Sequence, residues 1–457
     1  MKIREQLSMN LGMGNTGINP IRNPRLTRKN GNANKLDIQD RAFHDWYRFV
    51  LSYPPHLVRE YIDKFGLNDR SIVLDPFCGT GTTLVEAKLH NVGTIGIEAH
   101  PFSQFAASVK LDWIIDPDQL LTEAREIAYT AFNLLNLQGI EDDQVLDIVP
   151  ENLILKTISP EAQSLILTNS ISPLPLHKTL VLLNCLKSHE KEVYYRHALL
   201  ALANALVFKI SNLHFGPEVG VKSPKSDVPV VSNWLAEVEK MVNDLRLVQG
   251  QKYPEAKVYL ADARQIGNLI TPNAVHAVIT SPPYPNEKDY TRTTRLESVL
   301  LGFVQTKAEL RALKKTMIRS NTRGVYKEDD DDKWIADHAE IQRIANAIEK
   351  RRIELEKDSG FERLYSRVTK LYFGGMARHL ADLRNILVPG AQLAYVVGDQ
   401  ASYLRVKIQT GQILADIAKA LGYEVDRIDL FRTRLATATK EQLREEVVVL
   451  SWPGKKG

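Results

Sequence analysis

The four residues from Ser281 to Tyr284 combine a hydroxyl, two prolines and an aromatic ring at the end of an apolar run. That run, HAVIT, is typical of a buried strand. Adjacent prolines have no backbone N–H to give to a sheet, so the strand must end here in a stiff turn. Such a turn can present the Ser281 hydroxyl and the Pro282 carbonyl as fixed hydrogen-bond acceptors, with the Tyr284 ring as a flat stacking surface.

A second candidate site is the turn within VLDPFCGTGTTLVEA, where Gly79 and Gly81 lie between a strand and a helix that begins at Thr82. Glycines there let the backbone approach a bound group and leave helix N-terminal amides free. Leu84 occupies the third position of the G-x-G-x-x-G pattern, which disfavours a dinucleotide. Asp75 instead places a carboxylate at the strand end, where it would repel a pyrophosphate but suit a cation.

Two further acids follow the next two strands. Glu98 ends one of them, 17 residues beyond Gly81, where a carboxylate can accept hydrogen bonds from two ribose hydroxyls. Asp262, in YLADAR, is placed to accept from an adenine amino group. Any one of these acids alone is more typical of a cap or turn. Three acids at the ends of successive strands match the ligand crevice of an open α/β sheet, and S-adenosylmethionine carries the ribose, adenine and positive centre that fit them.

Seven short runs predict the strands that position these residues: 71–77, 93–101, 257–263, 276–284, 390–399, 423–431 and 445–452. Helical patterns separate several of the runs. The alternation predicts an α/β fold with a mostly parallel, Rossmann-like sheet and helices on both faces. Because only 13 residues, 432–444, join the last two runs, the final strand is expected to run antiparallel.

Two long stretches interrupt this sheet. Residues 117–250 are mostly helical by pattern and predict an insertion subdomain, whereas 306–360 contain a charged helix and an acidic run at 328–332 that is expected to be a solvated loop. The expected units are a basic N-terminal arm at 1–40, the first part of the sheet domain at 41–116, the helical insertion at 117–250, the part with the candidate catalytic turn at 251–305, the charged insertion at 306–360 and the remainder of the sheet domain at 361–457.

Composition narrows the class of protein. The chain has 457 residues, of which 44% are hydrophobic and 25% charged, so neither disorder nor a membrane protein is indicated. Seven basic and three acidic residues give segment 1–40 a net charge of +4, consistent with either a flexible tail or an arm that contacts phosphate. Cys78 and Cys185 have no ligand-type neighbours at metal spacing, which disfavours a zinc site or disulfide framework and fits a reducing cytoplasm.

Taken together, the motifs resemble those of the DNA amino-methyltransferases, which methylate cytosine at N4 or adenine at N6. DPFCGTGTT looks like the cofactor motif of that family, IGIEAHP and YLADAR look like the next two motifs, and TSPPY looks like the catalytic motif. HDWYRFVLSYPPHLVREYI, at 44–62, looks like the leading motif, which covers the methionine end of the cofactor. The resemblance covers the seven predicted strands and their helices, and it leaves the arm and both insertions outside.

The resemblance implies a Rossmann-like methyltransferase sheet with S-adenosylmethionine as cofactor. It assigns cofactor binding to Tyr53, Asp75, Pro76, Phe77, Gly79, Gly81, Thr82, Glu98 and Asp262, and catalysis to Ser281, Pro282, Pro283 and Tyr284. Acceptors at the turn would draw the exocyclic amine towards a tetrahedral geometry, while the extruded base stacks on Tyr284. Methyl transfer would then be direct, with no covalent enzyme intermediate and with Cys78 as a packing residue.

The implied substrate is double-stranded DNA with a flipped target base. A serine at the first catalytic position is commoner among N4-cytosine enzymes of the family, which favours cytosine N4 over adenine N6. Lys288, Arg292 and Arg295 follow the catalytic turn and could contact phosphates flanking the base, although a solvated helix face is the alternative. Lys222 and Lys225 lie in a polar loop within the helical insertion, the candidate target-recognition region, and a plain connecting loop is as good an interpretation.

The leading hypothesis is a sequence-specific DNA methyltransferase of a restriction or defence system. We would expect it in a prokaryotic cytoplasm, associated with the nucleoid, with a cognate restriction endonuclease as a partner. One alternative is an RNA amino-methyltransferase, for which the 40-residue arm is expected to be too short to hold an RNA-binding module. Another is a non-catalytic DNA-binding subunit, which predicts damaged motifs that this sequence does not have. The second insertion also carries a basic group that could form either a lid on the DNA side or a contact with a partner: Lys314, Lys315, Arg319 and Arg323.

Overall fold

The computed structural model describes residues 36–49, 52–144, 153–216, 218–435 and 442–455. The predicted basic arm therefore lies outside the described residues except for 36–40. The strands, in chain order, are β1 (Ile72–Asp75), β2 (Gly93–Glu98), β3 (Leu213–Phe215), β4 (Val219–Val221), β5 (Ala256–Leu260), β6 (Val275–Thr280), β7 (Leu387–Gly398), β8 (Glu424–Leu435) and β9 (Gln442–Trp452).

Seven of these strands form one sheet in the order β5-β2-β1-β6-β7-β9-β8, and β3 pairs with β4 in a separate hairpin. The pairs β1–β2, β2–β5, β1–β6 and β6–β7 are parallel, whereas β9 is antiparallel to both β7 and β8. The predicted mostly parallel sheet and the antiparallel last strand are confirmed. Chain order runs outward from β1 in both directions, so a topological switch point lies between β1 and β6, where open sheets of this kind bind ligands.

The α-helices, in chain order, are α1 (Pro55–Lys64), α2 (Thr82–Leu89), α3 (Pro101–Lys110), α4 (Pro117–Asn136), α5 (Pro160–Leu165), α6 (Pro173–Lys187), α7 (Tyr195–Ala205), α8 (Val231–Val248), α9 (Tyr290–Thr293), α10 (Arg295–Leu300), α11 (Lys307–Thr316), α12 (Ala339–Glu354), α13 (Tyr365–Leu383) and α14 (Thr410–Ala420). Helices α4 to α8 belong to the predicted insertion at 117–250. That insertion is mainly helical, as expected, with the β3–β4 hairpin as its described strand component.

Apolar side chains of the central strands cover both faces of the sheet. Val73 and Ile279 pack with α1 on one face, whereas Leu74 and Val278 pack with residues of α13 and α14 on the other. This is the reason that the strands show continuous apolar runs instead of alternation. The helical insertion contributes to a third core, which includes Trp234 and extends into α3.

The acidic run at 328–332 is only in part the solvated loop that its composition suggested, because Glu328 and Asp330 are exposed but other acids of the run are paired. The side chain of Asp329 is only 8% exposed and accepts two hydrogen bonds from Arg319, at 2.9 and 2.7 Å. Asp331 is also buried, in a short 3₁₀ helix (Asp331–Ile335), and pairs with Arg264 and Arg378. The prediction was wrong for Asp329 and Asp331, since two of these three arginines come from segments distant in sequence.

Close packing of this 3₁₀ helix on α13 depends on glycine. A Cβ atom at Gly374 would lie 1.9 Å from the carbonyl oxygen of Asp331, whereas one at the adjacent Gly375 would meet ordinary contacts at 3.4 Å and beyond. Both glycines lie inside a helix, where alanine is otherwise the better residue.

We expect Gly374→Ala to lower the free energy of unfolding by about 3 kcal/mol, because the second insertion must move away from α13. Gly375→Ala is the matched control. It should leave the free energy of unfolding unchanged or raise it by up to about 1 kcal/mol. Urea unfolding of the two variants measures both values. Equal stability of the two variants would contradict the described packing.

Both cysteines are buried and unpaired. Among the described helices, none combines the length and hydrophobicity that a bilayer-spanning segment needs. The described residues include no cluster of three or more His, Cys, Asp or Glu side chains that could hold a metal ion.

Candidate active site

A cavity of about 440 Å³ lies at the switch point of the sheet. Most of the residues assigned from the sequence line it: Tyr53, Pro76, Phe77, Gly79, Thr82, Glu98, Asp262, Ser281, Pro282, Pro283, Tyr284 and Lys288. The glycine turn and the proline bend therefore face one common space, although 200 residues separate them in the chain. Asp75 and Gly81 are not among the lining residues.

Asp75 is buried beneath the cavity floor, where it accepts hydrogen bonds from four donors. These are the Thr280 hydroxyl (2.6 Å), the Thr83 hydroxyl (2.6 Å), the Phe77 amide (3.1 Å) and the Tyr53 hydroxyl (3.3 Å). Burial raises the pKa of Asp75 to about 6. With its oxygens satisfied inside the protein, this carboxylate connects the glycine turn to Thr280, the residue before the proline bend.

The glycine turn needs both of its glycines for different reasons. Gly81 has a φ of 86°, and a Cβ atom there would lie 3.2 Å from the Cβ of Ala107 on α3. Gly79 has a φ of 52° with open space at its Cβ position, and its amide donates to Glu98 Oε2 at 2.8 Å. Gly79 thus exposes backbone to the cavity, and Gly81 allows the turn to pack on α3.

Glu98 lies at the end of β2 and faces the cavity. Its Oε1 atom accepts from the His100 amide at 2.7 Å, and burial raises the pKa of the carboxyl group to about 7. Asp262 also lines the cavity, but both of its oxygens accept from Arg264, with Arg264 Nη2 at 2.6 Å from Oδ2. Arg264, which the sequence analysis did not single out, therefore controls how Asp262 presents its oxygens.

The proline bend is held by bonds that leave acceptors exposed to the cavity. The Ser281 hydroxyl donates to the Val396 carbonyl at 3.1 Å, and the Ser281 side chain also interacts with that of Tyr284. The Tyr284 amide donates to the Tyr290 hydroxyl at 3.1 Å. A Cβ atom at Gly398 would lie 3.1 Å from the Tyr284 ring, so glycine at the end of β7 makes room for that ring.

The five candidate DNA-binding residues have different environments. Lys288 lines the cavity, and burial lowers its pKa. Arg292 and Arg295 lie on two successive short helices, α9 and α10, and not on one helix face. Arg295 donates to the carbonyl and hydroxyl of Thr291, at 3.0 and 2.7 Å, whereas Arg292 lies 3.8 Å from Glu218 of the β3–β4 hairpin loop.

Lys222 and Lys225 follow the β3–β4 hairpin and do not line the cavity. The Lys225 ammonium donates to the carbonyls of Lys209 and Ser211, at 2.7 and 2.8 Å, and so supports its own loop. Lys222 is exposed. Of this pair, Lys222 is therefore the side chain better placed for an external partner.

Three charged residues of the cavity wall were missed in the sequence: Arg432, Arg434 and Glu445. Arg432 donates to both oxygens of Glu445, and Arg434 donates to the Gln400 side chain at 3.0 Å. They lie on β8 and β9, whose antiparallel pairing brings them together. No local motif marks them, because their position depends on β9 inserting between β7 and β8.

Comparison with known proteins supports the resemblance to the DNA amino-methyltransferases. The family model described as DNA methylase matches residues 21–106. Similar proteins include the Type II methyltransferase M.BsoBI of Geobacillus stearothermophilus, with 24% identity over 88% of this chain and 83% of the relative. The Type II methyltransferase M.AvaI of Nostoc sp. shares 22% identity over 92% of this chain and 88% of its own length.

The chain is thus similar to a DNA methylase family model over residues 21–106 and to Type II methyltransferases over most of its length. Over a shorter stretch of 68 residues it is 40% identical to the Type II methyltransferase M.MjaII of Methanocaldococcus jannaschii, covering 15% of this chain and 13% of that protein. Members of the DNA amino-methyltransferase family generally use S-adenosylmethionine.

The residues of the cavity fit this cofactor. Glu98 keeps lone pairs towards the cavity for hydroxyl donors, and Gly79 leaves the turn backbone uncovered. The buried Asp75 does not fit a direct contact with a cationic centre, because four internal donors surround it. These bonds join the glycine turn, at Phe77, to Thr280 at the end of β6.

We expect Asp75→Asn to lower the free energy of unfolding by about 1–3 kcal/mol, because an amide nitrogen cannot accept from the threonine hydroxyls. Since the folded pKa is raised to about 6, the stabilisation that the wild-type carboxyl group provides is complete below its unfolded pKa and is lost as the pH rises through 6. The difference between wild type and variant should therefore shrink between pH 4 and pH 7.

Urea unfolding at several pH values measures this difference. Asp63→Asn, at an exposed aspartate of α1, is the control and should show little change in stability at any pH. A deficit of Asp75→Asn that stays constant from pH 4 to pH 7 would contradict the assigned environment of Asp75.

Proposed function

We propose that this protein is an S-adenosylmethionine-dependent, sequence-specific DNA methyltransferase that acts on an exocyclic base amine. The supporting observation is that the glycine turn and the Ser281–Tyr284 bend line the same cavity. Bound S-adenosylmethionine would supply a methyl group on a positively charged sulfur. The chain itself would bind the cofactor, orient the amine and exclude water.

Cofactor binding is proposed for the floor and one wall of the cavity. Glu98 would accept from the ribose hydroxyls, and the uncovered backbone at Gly79 would let the cofactor approach closely. Tyr53, Pro76, Phe77 and Thr82 would close the surrounding surface. Asp262 would accept from the adenine amine through lone pairs that its bidentate pair with Arg264 leaves over.

Amine activation is proposed for the bend. The Ser281 oxygen donates its own proton to Val396, so it can act only as an acceptor towards an incoming N–H group. The Pro282 carbonyl would accept the second amine proton, and Pro283 would keep the bend stiff. With both protons held, the nitrogen lone pair turns away from the base ring towards the methyl donor, and little reorganisation is needed in the transition state.

The target base is proposed to be cytosine, modified at N4. The reason is that the first residue of the bend is a serine, which is commoner at this position among the N4-cytosine enzymes of the family. The base would leave the duplex and stack on Tyr284. Lys288 would contact the extruded nucleotide, while Arg292 and Lys222 would contact DNA outside the cavity. The relatives named as Type II methyltransferases support a role in a restriction-modification system, with a cognate endonuclease as functional partner.

We expect Ser281→Ala to lower kcat for DNA methylation by at least about 100-fold while S-adenosylmethionine affinity stays within about threefold, because only the amine contact is lost. Tyr284→Ala should behave similarly through loss of stacking. The control is Ser164→Ala, at an exposed serine that also donates to a backbone carbonyl, at 2.7 Å, far along the chain in the helical insertion.

The assay follows labelled methyl groups into DNA and into RNA, and then separates the modified nucleosides. Detection of N4-methylcytosine in DNA supports the whole proposal. Detection of N6-methyladenine in DNA would change the assigned target base from cytosine to adenine. Label found only in RNA, or wild-type activity in Ser281→Ala, would overturn the corresponding assignment.

We expect S-adenosylmethionine affinity to weaken about tenfold between pH 8 and pH 6, because the ribose hydroxyls favour an ionised Glu98 whose pKa is about 7. Glu98→Gln should bind more weakly at pH 8 and lose most of this dependence, whereas the exposed control Glu60→Gln should keep it. Calorimetric titration measures each affinity. The same pH dependence in Glu98→Gln would show that another group is responsible.

A further inference from the structure

The last turn of α11, in the second insertion, contacts two different parts of the active site. Lys314 Nζ lies 2.7 Å from Asp289 Oδ2, and the side chains of this pair are only 14% and 6% exposed. The carbonyl of Lys315 accepts from Arg264 Nη2 at 3.0 Å. Thr316 and Met317, which complete this turn, line the cavity.

On one side, the turn reaches the catalytic bend. Asp289 caps α9 by accepting from the amide and hydroxyl of Thr291, at 3.1 and 2.6 Å. Tyr290 follows directly, and its hydroxyl accepts the Tyr284 amide proton. Lys314 is therefore connected to the bend through Asp289 and Tyr290.

The same insertion holds the loop after the bend at a second point. Glu287 has a φ of 65°, an uncommon value for a residue other than glycine. Its two oxygens accept from the amide and the hydroxyl of Thr322, at 2.9 and 2.8 Å. The side chain of Asn321 also donates to the Lys288 carbonyl, at 3.2 Å.

On the other side, the turn reaches the cofactor wall. Arg264 pairs with both oxygens of Asp262, and its remaining donors go to Asp331 and to the Lys315 carbonyl. One helical turn thus supports both proposed sites. Lys315 holds Arg264 and with it Asp262, and the adjacent Lys314 is connected to the proline bend.

On the basis of the proposed function, we propose that Lys314 is a positioning residue for the catalytic bend. Through Asp289 and Tyr290 it holds Tyr284 in the place where a base can stack. The second insertion, which lies outside the family motifs, is by this proposal a part of the active-site support. Loss of the Lys314 ammonium leaves Asp289 buried without its cation, so the α9 cap and Tyr290 shift and the bend loosens.

Two measurements test the proposal in Lys314→Met. Hydrogen–deuterium exchange of the segment 281–290 should be about tenfold faster than in the wild type, because the Tyr284 amide loses its fixed acceptor. The kcat for DNA methylation should fall about tenfold, with S-adenosylmethionine affinity in the absence of DNA within about twofold of the wild type. Lys314→Arg should restore both quantities to within about threefold.

Lys333→Met, in the same insertion, is the matched control. Its partner Asp330 is 60% exposed and Lys333 itself 76%, so loss of this surface pair should leave exchange and kcat unchanged. The double variant Asp289→Asn with Lys314→Met removes both buried charges, so it guards against general unfolding, and it should still show fast exchange at 281–290.

Unchanged protection of 281–290 in both Lys314→Met and the double variant would overturn the proposal. So would equal exchange in the Lys314 and Lys333 variants. Exchange does not require activity: a wild-type protein that transfers no methyl group would contradict the proposed function, whereas the exchange result would still decide whether Lys314 holds the bend.

Discussion

The arrangement of the active site depends on one buried carboxylate. Asp75 collects hydrogen bonds from the glycine turn, from the start of α2, from the leading segment and from Thr280 at the end of β6. A buried acceptor with four donors is costly to leave unpaired, so these segments cannot separate without losing a large part of that bonding. The glycine turn and the proline bend are therefore held at a fixed distance from each other.

Charge is distributed unevenly around the cavity, and burial amplifies the effect. Glu98 bonds to the Gly79 amide of the glycine turn, whereas Arg432 and Arg434 of β8 both pair with Glu445 of β9. Carboxylates in the lining favour a positively charged cofactor, and the cationic side chains favour a polyanion. The raised pKa of Glu98 shows that its ionised form lacks solvation, which a ligand with hydroxyl donors would supply.

Much of the fold was predictable because most of the seven strands carry apolar runs, and four of them are ended or followed by an acid or the proline bend. The place of β9 between β7 and β8, and with it the wall of Arg432 and Glu445, was not predictable from any local pattern. Asp75 was expected to contact a ligand, since the sequence does not reveal that Thr280 and Tyr53 fold back onto it. The acidic run was misjudged at Asp331 for the same reason, because Arg264 and Arg378 are distant from it in sequence.

The central claim is that a methyl donor and a gripped amine share the space between the glycine turn and the proline bend. A crystal structure with S-adenosylhomocysteine tests it most directly. We expect the ribose on Glu98 and the sulfur facing the Ser281–Tyr284 bend, within about 4–6 Å of the place where an amine would bind. A ligand bound outside the cavity, or a sulfur directed away from the bend, would contradict the account.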